Sequence, residues 1–173
     1  MPPQILVIYA TRYGSTAEIA HAVGEILSEE GAEVEVRSLA SAGSVEHYDA
    51  VVIGSPIRLG RLLPETLSFV RSHEAELAPV PVAYFVTGLT MREDTDENRR
   101  QAESYLTPLR RFKEPLSCGV FGGKVDSSRL GALLRFLLTH DRKATLAEGD
   151  YRNWPAIRRW ARELAQVLGV EAK

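Results

Sequence analysis

Short apolar runs alternate with amphipathic stretches along almost the whole chain, and that alternation restricts the fold more than any other feature. Ile5 to Tyr9 reads as a buried strand, after which Ile19, Val23, Ile26 and Leu27 share one helical face that Gly31 closes. Glu33-Val34-Glu35-Val36-Arg37 alternates polar and apolar, as a half-exposed edge strand does. Ala50 to Ile53 and Val82 to Val86 are instead nearly continuous apolar runs, as interior parallel strands are. Between those two a helix is predicted from about Pro64 to Glu76, its proline suited to a first turn. A further helix carries Ala102, Tyr105, Leu106 and Leu109; a fifth strand follows at Cys118 to Phe121. A last helix opens at Pro155 and buries Ile157, Trp160, Ala161, Leu164 and Leu168. The pattern predicts an α/β fold, a doubly wound five-stranded parallel sheet.

A chain of 173 residues is long enough for one full core, so a single domain over 1–173 is expected. Its one irregularity is Gly122 to Arg152, too long for an ordinary strand-to-helix connection and read as an insert (122–152). A net charge of −2 gives no global field for nucleic acid or a strongly acidic partner. The single cysteine, Cys118, cannot form an internal disulfide and reads as inert core. The start MPPQILV lacks the basic and apolar regions of a secretory signal, and no apolar run approaches the roughly 20 residues that span a bilayer. A cytoplasmic protein is expected, with contact to the inner face of a membrane left open.

In an open sheet of this kind ligands bind outside the carboxyl ends of the strands. The first strand leads into "YATRYGSTAEIA" (9–20), where Thr11, Ser15 and Thr16 offer hydroxyls, Gly14 a tight backbone, and the following helix unpaired amides at its positive end. Those are the parts of a phosphate cradle. Ser15-Thr16-Ala17-Glu18 also fits a capping box, in which the hydroxyls serve only the helix. The third strand ends in "GSPIRLGRLLPE" (54–65) and the fourth in "TGLTMRED" (87–94), two more loops rich in glycine and hydroxyls at the same sheet edge.

On these three loops the chain resembles the flavodoxin superfamily, and the resemblance implies flavin mononucleotide (FMN) as cofactor and a strand order of 2-1-3-4-5. Its phosphate loop corresponds to Thr11, Arg12, Tyr13, Gly14, Ser15 and Thr16; Ser55, Pro56, Ile57, Arg58, Leu59 and Gly60, with Thr87, Gly88, Leu89, Thr90 and Met91, surround the ring. The elements ATRYGST, VVIGSPIRLG, the insert and Asp150-Tyr151-Arg152-Asn153-Trp154 are further similar to the quinone-dependent protoporphyrinogen dehydrogenases. That likeness implies an oxidoreductase passing electrons from a tetrapyrrole through FMN to a quinone, with no protein acid or base and no metal. The alternative is a noncatalytic electron carrier that docks to a redox partner protein.

Other chemistries do not fit. A receiver domain needs acidic residues at the first and third strand ends, where this chain has Thr11 and Ser55. Gly119 to Lys124 lacks Walker spacing, and His21, His47, His73 and His140 have no metal-ligand spacing. Arg12, Arg58, Arg61 and Arg92 lie on the three loops, with Glu93, Asp94, Asp96 and Glu97 just beyond, so a flavin that accepts electrons readily is expected, unless the arginines pair with carboxylates. The ring-stacking aromatics usual in the superfamily are replaced by Leu59, Leu89 and Met91, leaving Tyr13 and Trp154 as nearby candidates; Trp154 equally fits an anchor for the last helix. In the insert, Leu130, Leu133, Leu134, Leu137 and Leu138 form a stripe among Arg129, Arg135, Arg142 and Lys143. Residues 129–140 suit peripheral membrane contact, a cover for the flavin, or packing on the sheet or in a homo-oligomer.

Overall fold

The computed structural model describes residues 1–126 and 149–170. The insert stripe from Leu130 to Leu138 and its flanking basic residues, with the expectations attached to 129–140, lie outside the described residues. Strands β1 (Gln4–Tyr9), β2 (Glu33–Ser38), β3 (Ala50–Arg58), β5 (Val82–Thr87) and β6 (Ser117–Phe121) form a parallel sheet in the order β2-β1-β3-β5-β6. Counted over the parallel strands alone, this is the flavodoxin order 2-1-3-4-5. Strand β4 (Arg61–Leu62) is a short antiparallel addition folded back on the end of β3.

Alternation along the strands divides the core in two. Ile5, Val7, Val52 and Phe85 face helices α1 (Ser15–Glu29) and α6 (Trp154–Val167), while Leu6, Ile8, Ile53 and Tyr84 face the helices of the opposite layer. Phe85, Phe121 and Trp160 meet tilted or edge-on with centroids 5.6 to 6.3 Å apart, tying α6 to the sheet. As the alternating pattern indicates, β2 is the edge strand, with no fully buried residue.

Two predicted helices are each divided. The stretch from Pro64 breaks at His73 (φ −106°, ψ 17°) into α2 (Pro64–Ser72) and α3 (Glu74–Leu77), and the His73 ring stacks on Phe69 at 4.1 Å. The next divides into α4 (Asp96–Ser104) and α5 (Thr107–Arg110); Pro108, which has no N–H to donate, sits in the first turn of the second piece. Helix α6 starts at Trp154, where the Asn153 side chain accepts a 3.1 Å hydrogen bond from the Ala156 amide.

The chain leaves β1 for β2 on one side and returns to β3 on the other, so the strand order reverses between β1 and β3. The carboxyl ends of β1, β3, β5 and β6 share one edge: Tyr9 lies beside Gly54, Pro56 beside Thr87, and Thr87 beside Phe121. The described residues contain no helix long and apolar enough to cross a membrane.

Candidate functional site

A cavity of about 100 Å³ opens at this edge. The loop after β1 contributes Thr11, Arg12, Tyr13, Ser15 and Thr16; the other loops contribute Pro56, Ile57, Arg58, Thr87 and Gly88. Gly123 and Lys124, just beyond β6, complete the described lining. Three of these residues are cationic and five bear hydroxyls, while none is Asp or Glu.

The first loop is held by its own backbone. Thr11 Oγ1 accepts a 2.9 Å hydrogen bond from the Gly14 amide, and Gly14 has φ 93°, a left-handed conformation that glycine adopts without a steric penalty. Helix α1 begins at the next residue, and no side chain caps it. The capping box readable in Ser15-Thr16-Ala17-Glu18 therefore does not form, and the first-turn amides are left to other acceptors. Thr16 is buried, its Oγ1 2.9 Å from that of Thr87, and Glu18 ion-pairs with Arg152.

The second loop is a β-hairpin, not the open loop the sequence suggests. Strand β3 continues five residues beyond Ile53 and reverses at Leu59 (φ 50°) and Gly60 (φ 73°) to pair Arg58 with Arg61. Positive φ at both turn residues matches the twist of the flanking strands. Ser55 is buried beneath this hairpin, its hydroxyl donating to the Pro56 carbonyl at 3.0 Å and accepting from the Leu63 amide at 3.3 Å. Leu59 stands 95% exposed at the tip, and Gly60 is exposed beside it. Neither is in the cavity lining.

In the third loop the Gly88 amide donates to the Phe121 carbonyl at 3.0 Å, and a 3₁₀ turn covers Leu89–Arg92. Leu89 is exposed and Thr90 half-buried. Met91 turns into the core beside α4 and borders a separate cavity of about 320 Å³ between β6, α4 and α6.

The arginines divide. Arg12 ion-pairs with Glu65; burial pulls that carboxyl upward, but the hydrogen bond from Arg12, a bond from the Glu65 backbone and the Arg12 charge together outweigh it and hold the group below the usual carboxylate range. The Arg58 guanidinium lies 5.4 Å from the centroid of the Tyr13 ring. Cys118 is half-buried, accepts from Arg110 at 3.3 Å, and has its thiol pushed up by burial, the opposite of what a nucleophile needs.

Sequence reasoning missed Gly123 and Lys124 as lining residues, and gave Arg152 no role beyond its place in the motif from Asp150 to Trp154. The run Gly122-Gly123-Lys124 immediately after a strand carried a signal, since a glycine pair lets backbone approach a neighbouring loop. Strand β7 (Lys124–Val125) pairs antiparallel with β8 (Gly149–Asp150), so the two ends of the insert meet at the cavity. Only 6% of the Arg152 side chain is exposed; it holds Asp150 at 2.6 Å, ion-pairs with Glu18 and lies 4.8 Å from the Trp154 ring centroid. Trp154 packs on the core shared with α1 and α6, as an anchor for the last helix does.

Comparison with known proteins adds the context of this geometry. The Flavodoxin domain family model matches residues 6–151. A Leishmania major protein named protoporphyrinogen IX dehydrogenase [quinone] is 29% identical over 95% of this chain and 76% of its own length. A protein of the same name from Escherichia coli K12 is 28% identical over 94% of both. Among solved structures, a short-chain flavodoxin associated with a non-canonical PDU bacterial microcompartment superposes with a TM-score of 0.62 at 13% identity, covering 96% of this chain and 99% of that one. This last likeness concerns the fold alone.

Proposed function

The chain belongs to the Flavodoxin domain family, and from that premise we propose that it binds FMN at the cavity beside Thr11 to Thr16 and acts as an oxidoreductase between a protoporphyrinogen-type tetrapyrrole and a quinone. The observation that carries the cofactor reading is the cavity lining: hydroxyls of Thr11, Ser15, Thr16 and Thr87, three cations, and no described carboxylate. Such a lining fits a phosphate dianion and would repel little else about it. The substrate classes rest on the relatives' names, and the match over nearly the whole of the Escherichia coli protein supports them.

In this reading Thr11, Ser15 and Thr16, with the uncapped amides of α1, hold the phosphate. The hairpin from Ser55 to Gly60 and the turn from Thr87 to Met91 flank the ring. Bound flavin supplies the redox chemistry, exchanging electrons with donor and acceptor in turn. The protein's part is orientation and field. Arg58, held over Tyr13, adds positive potential on the ring side and favours an electron-rich flavin, whereas Arg12 is largely offset by Glu65. Ser55, buried under the hairpin, fixes that wall and makes no contact with the cavity.

The test is anaerobic. FMN added to the apoprotein should be quenched on binding, and mixing with protoporphyrinogen and a soluble menaquinone analogue should then yield protoporphyrin faster than free FMN does. Binding without turnover would reassign the chain as an electron carrier or a reductase for another donor. Absence of binding would overturn the cofactor reading itself.

A further inference from the structure

We infer that Lys124, at the root of the insert, is the cation that recognises the phosphate of the bound flavin and sets preference for the phosphorylated over the unphosphorylated form. The inference rests on the FMN reading above and adds a residue outside the three family loops.

Three cations border the cavity, and two are engaged. Arg12 is drawn off by Glu65, and Arg58 lies over the Tyr13 ring. Lys124 faces Asp150 across the β7–β8 ladder, yet both Asp150 oxygens already accept from Arg152, at 2.8 and 2.6 Å. Lys124 acts on Asp150 through its charge, but none of the ion pairs between described residues includes it, and its side chain borders the cavity where an anion would meet it.

The backbone places it there. A Cβ built on Gly123 would lie 3.7 Å from the Gly88 amide nitrogen and 3.9 Å from Ser15 Oγ, so the chain at this point runs against both the phosphate-loop serine and the third loop. The Tyr151 amide donates to the Gly123 carbonyl at 3.0 Å, and Arg152 ties the same segment to Glu18 in the first turn of α1. The insert's two ends are thus fastened to the helix whose amino terminus faces the cavity, with Lys124 on the cavity side. An ammonium group on a flexible stem suits a phosphate as a point charge and needs no bidentate alignment.

The experiment compares FMN with riboflavin, which lacks the phosphate, in the wild type, K124Q and K124R. Dissociation constants from fluorescence quenching should show that K124Q weakens FMN about tenfold or more, the worth of one charge-assisted hydrogen bond, with riboflavin little changed and K124R close to wild type. Riboflavin affinity also reports whether the K124Q cavity is intact. A wild type that binds FMN and riboflavin equally, or neither, would overturn the cofactor reading and this inference with it. A wild type that prefers FMN, and a K124Q protein with the same preference, would overturn the role of Lys124 alone.

Discussion

The hydroxyls of Thr16 and Thr87 lie 2.9 Å apart in the core although 71 residues of chain separate them. Both residues are almost fully buried, so the bond clamps the first turn of α1 to the carboxyl end of β5. Removing one hydroxyl leaves the other buried without its partner. T16V and T87V should each cost about 1–2 kcal/mol, and the double variant less than their sum, because the second removal deletes a group already unsatisfied. Urea unfolding of the four proteins checks this; strict additivity would mean that the two hydroxyls act independently.

Ser15 tests the phosphate site. Its side chain lines the cavity at the first position of an uncapped helix, where an aspartate is well tolerated by the fold. S15D should keep the unfolding free energy within about 0.5 kcal/mol of wild type. FMN affinity should fall by about 100-fold or more, since a fixed carboxylate faces a dianion in a partly desolvated site. Undiminished FMN affinity would place the phosphate elsewhere.

The tip of the β3–β4 hairpin offers a stability test. Leu59 has φ 50° and is 95% exposed, so it bears left-handed strain with no burial to offset it. Asparagine adopts that conformation more readily and suits a turn with positive φ at both positions. L59N should stabilise the fold by about 0.5–1 kcal/mol, read as a higher urea midpoint at unchanged slope. If Leu59 also meets the substrate, KM rises in L59N while stability improves.

The strands were legible because burial on both faces leaves a continuous apolar run, as in Val82 to Val86, and partial exposure leaves alternation, as in Glu33 to Arg37. Breaks within a layer were less so. Nothing in a 3.6-residue period marks His73 as a break, since Phe69 and His73 still stack at the i, i+4 spacing of a continuous helix while the His73 backbone departs from it. The hairpin after Ile53 was hidden for a similar reason: Leu-Gly is a weak turn signal beside Asn-Gly, and the turn is supported by Ser55 from below. The hydroxyls of the first loop were visible in sequence, but that they do not cap α1 was not, because Thr16 turns instead to Thr87, a partner 71 residues away. The place of Lys124 beside the cavity, and the role of Arg152 in joining Asp150 to Glu18, were invisible because they depend on the two ends of a long insert meeting, a non-local fact.

Arg152 supplies the pH-dependent prediction. Its buried guanidinium joins Asp150 to Glu18, and its hydrogen bonds hold the Asp150 carboxyl below the ordinary range. Asp150 therefore ionises at lower pH in the folded chain than in the unfolded one, whose value is about 3.9. Its contribution to stability is complete above that value and is lost as pH falls through the folded pKa. R152Q should be destabilised at pH 7 by about 1–2 kcal/mol, a figure kept modest because both carboxylates are roughly half exposed to solvent. The gap between variant and wild type should narrow as pH drops below about 4, where protonation of Asp150 takes from the wild type the pair that the variant already lacks. Urea midpoints at pH 7 and pH 3 decide it. A gap that stays constant would show that Arg152 stabilises through its packing on Trp154 and not through the carboxylates.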